Sequence, residues 1–578
     1  MVSTLACEMI SVICQGDKCG CATLRSHFNR PRPHIFNLGT RLEELPHYPS
    51  ILSLSMGSTS IKDLAAELVI RILHFCDDYR SIVRFSTTSR RYIRLVKNSV
   101  TLQLRIELGA NGMEIIGEST NDYHDPALLQ RLRRYLEVWV DPKPFRVIHE
   151  DTPAVFVRSH LQLVPNKGLL RVNPVWLHVD TLERFPTSIR KHQEYAFDAE
   201  QDLSVQIHDL WDVSHWTIYI HLQSIASGSP HPLAQYPVLK VAINPGPSYV
   251  RESCRLMRNI LVVVFHPFRY ESRRGLPSDI ALWDWQSGNL LYRIALPVVG
   301  RCEVAFLDRS HLLVYTTTPT EYPDRERSPT FLIYSISPVP SDLNQAGPYF
   351  HLNSNPPHNI SLRLEFPDLL ESCSLFKPDS LSRSLHSNTV GQLVLSQVIY
   401  SSAVTLRLHL MMYQGERHFL VFISGSKLRE YLHQGRSGTI KWDEWGESAT
   451  RWLEGVSFQA SRTPGPRYFE VTKSSGNRIG RLSVFDFHPP SMRRQLSRIS
   501  SETNAYKRSK LAARIKLIDS DSPSIIDGIF KHPVVSRLPY TLMTKGWDAP
   551  LCSSWVADGE YIVGIKHCSY ISVYKLHN

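Results

Sequence analysis

Residues 61–106 read IKDLAAELVIRILHFCDDYRSIVRFSTTSRRYIRLVKNSVTLQLRI, and the rest of the chain is organised around this stretch. Its first apolar residues recur at intervals of three or four, at Leu64, Leu68, Ile72 and Phe75. That spacing predicts a helix that buries this stripe. Asp63 is expected to cap the first turn, because a short carboxylate accepts hydrogen bonds from the free N–H groups there.

The same stretch predicts a second helix and a further apolar segment. Residues 76–80 break the first period, and Ser81 is the expected cap of a helix whose stripe comprises Ile82, Phe85, Ser89, Tyr92 and Val96. The third segment contains Val100, Leu102, Leu104 and Ile106. A unit of about 45 residues buries little surface by itself. Three short helices with this much apolar surface therefore predict a docking partner.

The order of these residues resembles the F-box, the module by which ubiquitin-ligase receptors attach to a Skp-type adaptor. The matching positions are 64–68, 70, 72–73, 75, 82–85, 89–92 and 95–96. The continuation at 103–108 and 112–113 is similar to F-box proteins of mushroom-forming fungi. The resemblance implies an F-box domain over residues 60–106, with adaptor contacts drawn from Leu64, Glu67, Leu68, Ile72, Leu73, Ile82, Val83, Arg84, Phe85, Ser89, Arg90, Arg91 and Tyr92. The sequence leaves open which of these side chains face the adaptor and which face the helices' own core.

The charge of this stretch is one-sided. From Tyr79 to Ile106 there is no acidic residue, whereas the basic residues are Arg80, Arg84, Arg90, Arg91, Arg94, Lys97 and Arg105. A basic face favours an acidic partner through long-range attraction. The alternatives are an ordinary helical subdomain with a solvated basic face and a helix-turn-helix that binds DNA. The DNA-binding alternative is less favoured, because the second helix lacks the Asn and Gln side chains that read base edges.

The whole chain has the composition of a globular protein with several structural units. It has 578 residues, of which 42% are hydrophobic and 21% charged, and a formal net charge of +11. Ten cysteines without a regular framework suit a reducing compartment. No apolar run approaches the roughly 18 residues that span a bilayer, and Glu8 in a start without basic residues makes a poor signal peptide. We expect a soluble protein of the cytoplasm, the nucleus or both.

Residues 1–59 are expected to be a disordered N-terminal segment, because they contain Pro31, Pro33, Pro46 and Pro49 and no sustained period. Cys14, Cys19, Cys21 and His27 invite comparison with a zinc site. The spacing C-x4-C-x-C is not the usual C-x2-C knuckle and no second ligand pair lies nearby, so no metal is expected.

Residues 107–142 are predicted to form a helical linker. Asp125 and Pro126 are a good helix start, and the stripe of the helix at 126–140 comprises Leu129, Leu132, Leu136 and Trp139. The alternative is a plain packing helix of the following domain.

From residue 143 to residue 578 the sequence pattern changes to one of short strands and turns. Alternating strands are predicted at 218–223, 280–285, 331–336, 482–487 and 571–576, and the first three begin 62 and 51 residues apart. The run of strands at 260–265, 280–285 and 290–294, with a tight turn at 286–289, has the order of a propeller blade. Trp283-Asp284 resembles the end of a WD-type strand, and Phe485-Asp486 is a looser version of it. We therefore expect an α+β multidomain protein whose β domain is a degenerate WD-type propeller, with seven blades as one arrangement; a β-sandwich or two smaller β domains are the alternatives.

Two long interruptions are predicted to be loops inside this region. Residues 337–361 are rich in Pro, Ser and Asn, and residues 491–516 carry eight basic residues against the single acid Glu502. The second segment suits a phosphorylatable switch, a nuclear-import patch, an arm for an acidic ligand or a solvated loop.

No catalytic or cofactor motif appears: the sequence lacks G-x-S-x-G, H-E-x-x-H, G-x-x-x-x-G-K and G-x-G-x-x-G. We expect a binding protein with no cofactor rather than an enzyme. The resemblance implies a substrate receptor of an SCF-type ubiquitin ligase that binds a Skp-type adaptor, through it a cullin, and an unknown target protein. The alternative is a β-propeller scaffold or nucleic-acid-binding protein whose basic helical unit contacts an acidic partner, although nucleic acid and membranes are not expected partners.

Overall fold

The computed structural model describes residues 61–576 with internal gaps, the longest of which cover 116–124, 151–161, 268–277, 337–346 and 455–466. The expectations for residues 1–59, including Cys14, Cys19, Cys21 and His27, lie outside the described residues. The chain divides into two compact units, Met1–Ile106 and Glu107–Asn578.

The first unit is helical. After a 3-10 turn at Ile61–Asp63 it contains α1 (Ala66–His74), α2 (Tyr79–Thr87), α3 (Arg90–Asn98) and the start of α4 (Val100–Ala110), which runs across the division between the units. Its core is made from all four helices by Val69, Leu73, Ile82, Tyr92, Val96 and Leu102. The helices therefore close a small core of their own.

Two expected helix starts in this unit are wrong. Asp63 lies in the 3-10 turn, and the residue before α1 is Ala65, whose side chain makes no cap bond. Ser81 lies inside α2 rather than at its start.

The prediction of a single second helix is also wrong, because residues 79–98 form the two helices α2 and α3. The hydroxyls of Ser86, Thr87 and Thr88 donate to carbonyls three residues earlier, at 2.6–2.8 Å, and so compete with continuation of α2. Ser89 then takes an extended conformation and its hydroxyl accepts a hydrogen bond from the Tyr92 backbone N–H at 3.2 Å. Ser89 is therefore the cap of α3 and not part of a buried stripe.

The second unit is mostly β, which confirms the expected change of pattern after the linker. Its strands up to residue 335 are β1 (Met113–Ile115), β2 (Phe145–Glu150), β3 (Gln162–Val164), β4 (Leu169–Val172), β5 (Val175–His178), β6 (Arg184–Pro186), β7 (Glu194–Asp198), β8 (Leu203–Asp212), β9 (His215–Ser224), β10 (Val238–Ile243), β11 (Val250–Met257), β12 (Ile260–Pro267), β13 (Asp279–Asp284), β14 (Asn289–Ala295), β15 (Cys302–Asp308), β16 (His311–Pro319) and β17 (Arg325–Ser335).

The later strands are β18 (Tyr349–His351), β19 (Leu362–Glu365), β20 (Leu375–Phe376), β21 (Leu385–Ser387), β22 (Leu393–Ser396), β23 (Ile399–Ser401), β24 (Thr405–Met411), β25 (His418–Ser424), β26 (Gly438–Ile440), β27 (Thr450–Glu454), β28 (Arg467–Lys473), β29 (Gly480–Asp486), β30 (Ile515–Ile518), β31 (Ser524–Ile526), β32 (Val534–Ser536), β33 (Tyr540–Trp547), β34 (Ser554–Asp558), β35 (Tyr561–Lys566) and β36 (Tyr570–Lys575). The helices of this unit are α5 (Asp125–Val140), α6 (Gly425–His433), α7 (Trp442–Ala449), α8 (Pro489–Ser501) and α9 (Ala505–Arg514).

Seven sheets of four or more strands follow one another along the described part of this unit. In chain order they are sheet 1 (β3-β4-β5-β6), sheet 2 (β7-β8-β9-β10-β18), sheet 3 (β11-β12-β13-β14), sheet 4 (β15-β16-β17-β19-β26, with β20 on β17), sheet 5 (β21-β24-β25-β27), sheet 6 (β28-β29-β33-β30) and sheet 7 (β34-β35-β36-β2). The strand run expected at 260–294 is confirmed as sheet 3, which β11 completes. Sheet 7 combines the last three strands of the chain with β2, which pairs antiparallel with β36.

The sheets share continuous apolar cores. One cluster joins sheets 3, 4 and 5 and includes Trp445 of α7, a second joins sheets 2 and 3, and a third joins sheets 5 and 6. Trp283 of the expected Trp-Asp pair is fully buried in the cluster between sheets 2 and 3. Asp284 shapes the following turn, because its side chain accepts a hydrogen bond from the Gln286 N–H at 3.0 Å.

Three later segments pair back onto earlier sheets, and we call them straps. The first comprises residues 347–351 and 358–361, between β17 and β19: β18 pairs parallel with β10, and the His358 N–H donates to the Arg293 carbonyl of β14 at 2.7 Å. The second comprises residues 425–449, between β25 and β27, and its β26 pairs parallel with β19 of sheet 4. The third comprises residues 519–538, between β30 and β33, where Leu370 N–H donates to the Ile529 carbonyl at 2.9 Å.

Both predicted loops require correction. The described part of 337–361 belongs to the first strap and includes β18, while 337–346 and 352–357 lie outside the described residues. Residues 491–516 are not a loop but α8, α9 and the start of β30. Pro489 and Pro490 begin α8, where a missing N–H is no loss, and the Asn504 side chain caps α9 by accepting from Lys507 N–H at 3.1 Å.

The helix predicted at 126–140 is confirmed as α5, whose stripe Leu129, Leu132, Leu136 and Trp139 is buried, while its role as a linker stays a prediction. It is attached to sheet 6 near its C-terminal end. The Arg467 guanidinium lies 6.0 Å from the centre of the Trp139 ring, and Lys545 Nζ donates to the Pro142 carbonyl at 2.7 Å.

Candidate protein-docking surface

Helix α1 presents apolar side chains on two faces. Val69 and Leu73 are buried in the helical core, but Leu68 is 50% exposed and Phe75 is 55% exposed. Ile72 lies between them in sequence and is half-buried, so residues 68, 72 and 75 form one stripe at helical spacing. We call Leu68, Ile72 and Phe75 the exposed stripe.

The expected burial of the stripe from Leu64 to Phe75 is therefore wrong. The helix buries the neighbouring pair Val69 and Leu73 instead, and it has more apolar surface than its own unit covers. Phe75 is absent from the set of expected adaptor contacts, although the sequence pattern placed it on the same stripe as Leu64, Leu68 and Ile72, which are in that set. The signal that identifies it is the presence of two adjacent apolar stripes on one short helix.

Both ends of α1 are hydrogen-bonded to arginines of the other helices. At the N-terminal end, Arg91 Nη2 of α3 donates to the Leu64 carbonyl at 2.8 Å. At the C-terminal end, the Arg105 guanidinium of α4 donates to the carbonyls of His74 and Cys76. The bond to His74 satisfies a carbonyl at the C-terminal end of α1 that has no intrahelical donor. Both ends of α1 are therefore tied to the other helices of the unit.

The expected adaptor residues separate into three groups. Leu73, Ile82 and Tyr92 are buried in the helical core. Half-buried positions are Leu64, Ile72, Phe85 and Ser89; Phe85 packs on the Tyr92 ring with the ring centres 4.3 Å apart. The exposed group comprises Glu67, Leu68, Val83, Arg84, Arg90 and Arg91. Only the exposed group and the half-buried side chains are placed to touch another protein directly.

The helical unit also exposes positive charge. Among the basic residues of 79–106, those with exposed side chains are Arg80, Arg84, Arg90, Arg91, Arg94 and Lys97. Arg80 lies 5.9 Å from the Tyr79 ring centre and Arg91 lies 5.9 Å from the Tyr92 ring centre. An apolar stripe in a unit with this charge fits a partner surface that is apolar and rimmed by carboxylates.

In the second unit, the buried charged groups that we can describe have structural partners. Arg451 is 1% exposed, and its guanidinium donates to the carbonyls of Leu538, Ser522 and Asp519 at 2.7–3.1 Å. It thereby fastens the third strap to β27. Asp486 is 2% exposed and accepts hydrogen bonds from Arg467 Nε at 3.1 Å and Ser491 Oγ at 2.7 Å. The aspartate of Phe485-Asp486, the looser version of the Trp-Asp pair, thus forms a buried ion pair with Arg467 and contacts Ser491 at the start of α8.

Within the described ranges, no three His, Cys, Asp or Glu side chains come together as a possible metal site. None of the helices in those ranges is both long and apolar enough to cross a membrane.

No protein-family model matches this chain, and no curated protein matches it. Among solved structures, the chain is similar to the WD40 domain of SCAP from fission yeast, with 9% sequence identity and a TM-score of 0.28. The similarity covers 76% of this chain and 99% of that chain.

Proposed function

We propose that this protein is the substrate-recognition subunit of an SCF-type ubiquitin ligase. Its helical unit binds a Skp-type adaptor and through it a cullin, and its β unit holds a target protein. The observation that carries the proposal is the exposed stripe on α1, because Leu68 and Phe75 stay half in water although the helices have closed a core beneath them. Fully burying a large apolar side chain contributes about 1.5–3 kcal/mol, so a partner that covers the exposed halves of Leu68 and Phe75 gains roughly that amount in total.

The charge of the helical unit supports the same partner class. Arg84, Arg90 and Arg94 are exposed, and no acidic residue lies between positions 79 and 106 to neutralise them. An adaptor with an acidic rim would be attracted over distances of about a Debye length, roughly 8–10 Å at physiological salt.

For the β unit we propose a seven-bladed propeller. The support is the order of its sheets and the composition of sheet 7, in which β2 from the start of the unit pairs with β36 from its end. Pairing of a strand from the start of the unit with one from its end joins the two ends in one sheet, which is how a ring of blades closes. Such a scaffold presents loops on which a target protein can be held near the transfer machinery of the ligase.

The test is capture of the adaptor by the full chain carrying Leu68→Asp and Phe75→Asp together. Both side chains are at least half exposed, so the substitutions leave the helical core intact and only place carboxylates in the docking surface. The control is Leu233→Asp, a 60% exposed leucine of the β unit. The proposal predicts that wild type and the control retain the adaptor and the double variant loses it. Equal capture by all three proteins would remove the ligase assignment.

The second candidate is a β scaffold whose basic helical unit binds nucleic acid, which the exposed arginines of α2 and α3 favour. Binding of DNA or RNA that weakens steeply with salt, together with no adaptor capture, would favour this candidate.

A further inference from the structure

The helical pair α8 and α9 is an exposed, positively charged insertion in sheet 6, between β29 and β30. We call it the basic hairpin. Its first helix is anchored, because Ser491, Met492 and Gln495 are buried and Arg494 Nη1 lies 2.6 Å from a carboxylate oxygen of Glu107. Its second helix has no buried residue at all. The helix α9 is therefore held in place without using most of its own surface.

The basic hairpin concentrates cations that have no carboxylate partner among the described residues. Several exposed basic side chains elsewhere in this unit lie beside carboxylates, for example Arg417 with Glu454 at 2.5 Å and Arg436 with Glu444 at 3.0 Å, whereas Lys240, Lys441 and Arg481 are scattered exposed cations. On the basic hairpin and the strand that follows it, no carboxylate of the described residues forms an ion pair with the exposed side chains of Arg493, Arg498, Lys507, Arg508, Lys510 or Lys516. The one acid of the segment, Glu502, accepts a hydrogen bond from the Asn504 N–H at 3.0 Å. The surface thus has a concentrated positive charge that no carboxylate in the described part of the chain pairs with, apart from Glu107 at Arg494.

An aromatic side chain lies in the middle of this charge. Tyr506 is 74% exposed, more than any other large apolar side chain in the described part of the chain, and Lys510 Nζ lies 5.9 Å from its ring centre. An exposed ring among cations gives a ligand an apolar contact as well as charge. Leu511, on the same helix, is half-buried.

We infer that the basic hairpin binds an acidic segment of another polypeptide, with Tyr506 contacting an apolar side chain of that segment and the lysines and arginines pairing with its carboxylates. Single-stranded nucleic acid fits less well, because it is usually held by several rings in succession and Tyr506 is one ring. The amides of the hairpin are also poorly placed to read bases, since Gln495 is buried and Asn504 caps α9. A lipid surface fits less well because an interfacial helix needs a broad apolar face.

This inference adds a class of target to the proposed function and rests on that function only for describing the bound polypeptide as a ligase target. Binding itself does not depend on the adaptor. The two ideas can therefore be tested on the same protein and fail separately.

The experiment measures fluorescence anisotropy of labelled probes with the full chain. The probes are a synthetic peptide of Glu and Asp around a single Leu, the same peptide with Gln and Asn in place of the acids, and a single-stranded RNA of similar charge. The test variant is Lys507→Gln, Arg508→Gln and Lys510→Gln combined. The matched control is Lys427→Gln, Arg436→Gln and Lys531→Gln combined, which removes three exposed cations that have carboxylate partners in the same unit.

The expected result is that wild type binds the acidic peptide, more weakly as salt rises, and does not bind the neutral one. The test variant should lose about tenfold in affinity, since three exposed charge pairs are removed, and the control should change by less than about twofold. Tyr506→Ala should weaken peptide binding while leaving its salt dependence unchanged. The inference is overturned if both triple variants lose affinity equally, if RNA binds more tightly than the acidic peptide, or if no peptide binds.

Adaptor capture on the same preparations separates the two proposals. Retained adaptor capture by the test variant with lost peptide binding supports both. Failure of adaptor capture by wild type, with peptide binding still dependent on residues 507–510, overturns the ligase assignment and leaves the basic hairpin as an acidic-peptide site.

Discussion

Arg91 Nη2 donates a hydrogen bond to the Leu64 carbonyl at 2.8 Å, which joins α3 to the turn before α1. We predict that Arg91→Ala lowers the free energy of unfolding of the helical unit by about 1 kcal/mol, the net contribution of one such bond. The substitution should also weaken adaptor capture, because the start of α1 is no longer fixed. Chemical denaturation followed by a probe of the helical unit measures the first effect. A loss of capture with unchanged stability would show that Arg91 acts by direct contact instead.

Leu68 and Leu73 lie five residues apart on α1, and the same substitution should affect stability at one position and adaptor binding at the other. Leu73 is 3% exposed in the core, so Leu73→Ala should destabilise the unit by about 2–5 kcal/mol. Leu68 is half in water, so Leu68→Ala should change stability by less than about 0.5 kcal/mol and still weaken adaptor binding. Thermal unfolding and adaptor capture of the two variants make the comparison. Similar destabilisation by both would mean that Leu68 is enclosed in solution.

Substitutions of Phe350 and Tyr349 test in the same manner whether the first strap is packed on sheet 2. Phe350 is 1% exposed and packs edge-on against Trp283, with the ring centres 5.9 Å apart, whereas neighbouring Tyr349 is 50% exposed. Phe350→Ala should cost about 3–5 kcal/mol and lower the midpoint of urea unfolding. Tyr349→Ala should leave that midpoint nearly unchanged. If the two variants behave alike, the strap is not packed on sheet 2.

The lowered pKa values of two histidines in the β unit predict that its stability falls on mild acidification. Burial, and then the charge of His208, lower the pKa of His221; burial likewise lowers the pKa of His488, although Asp486 opposes the shift. A histidine whose pKa is lower in the folded protein binds protons more readily when unfolded, so its stabilising effect is lost as the pH falls below about 6.5.

The midpoint of thermal unfolding should therefore be lower at about pH 5.5 than at about pH 7.5, and His488→Gln should make the dependence shallower. Asp308 and Glu454 contribute only in stronger acid. Burial opposes the shift at Asp308, but hydrogen bonds from His311 and the Ser310 N–H lower its pKa, while the hydrogen bond from Arg417 lowers the pKa of Glu454. Their stabilising effect is lost below about pH 4. A midpoint that rises between pH 7.5 and 5.5 would contradict the assignment to the histidines.

Regular apolar periods in the sequence were sufficient to predict an element where its neighbours bury one face of it. The linker helix expected at 126–140 is Asp125–Val140, and the strands expected at 260–265, 280–285 and 290–294 are adjacent in sheet 3. The tight turn after Asp284 also follows from local chemistry, since Gly288 has a positive φ of 72°.

The apolar period gave the wrong prediction where an element has apolar residues on two faces. It also missed elements that are stabilised by pairing with residues distant in the sequence. On α1 the pattern could not tell the stripe of Leu68 and Phe75 from the buried pair Val69 and Leu73. The basic hairpin was expected to be a loop, because its short apolar face lies among serines and arginines. The parallel pairing of β18 with β10 joins residues about a hundred positions apart, and no local pattern reports it.

The straps have a consequence for how such a chain can change in length. Arrays of similar modules can lose or gain one member at an end, because each member touches only its neighbours. Here a truncation before residue 519 would also strip covering backbone from residues 368–370, and one before 425 would bare the outer strand of sheet 4. Stable fragments should therefore not end at the borders between sheets.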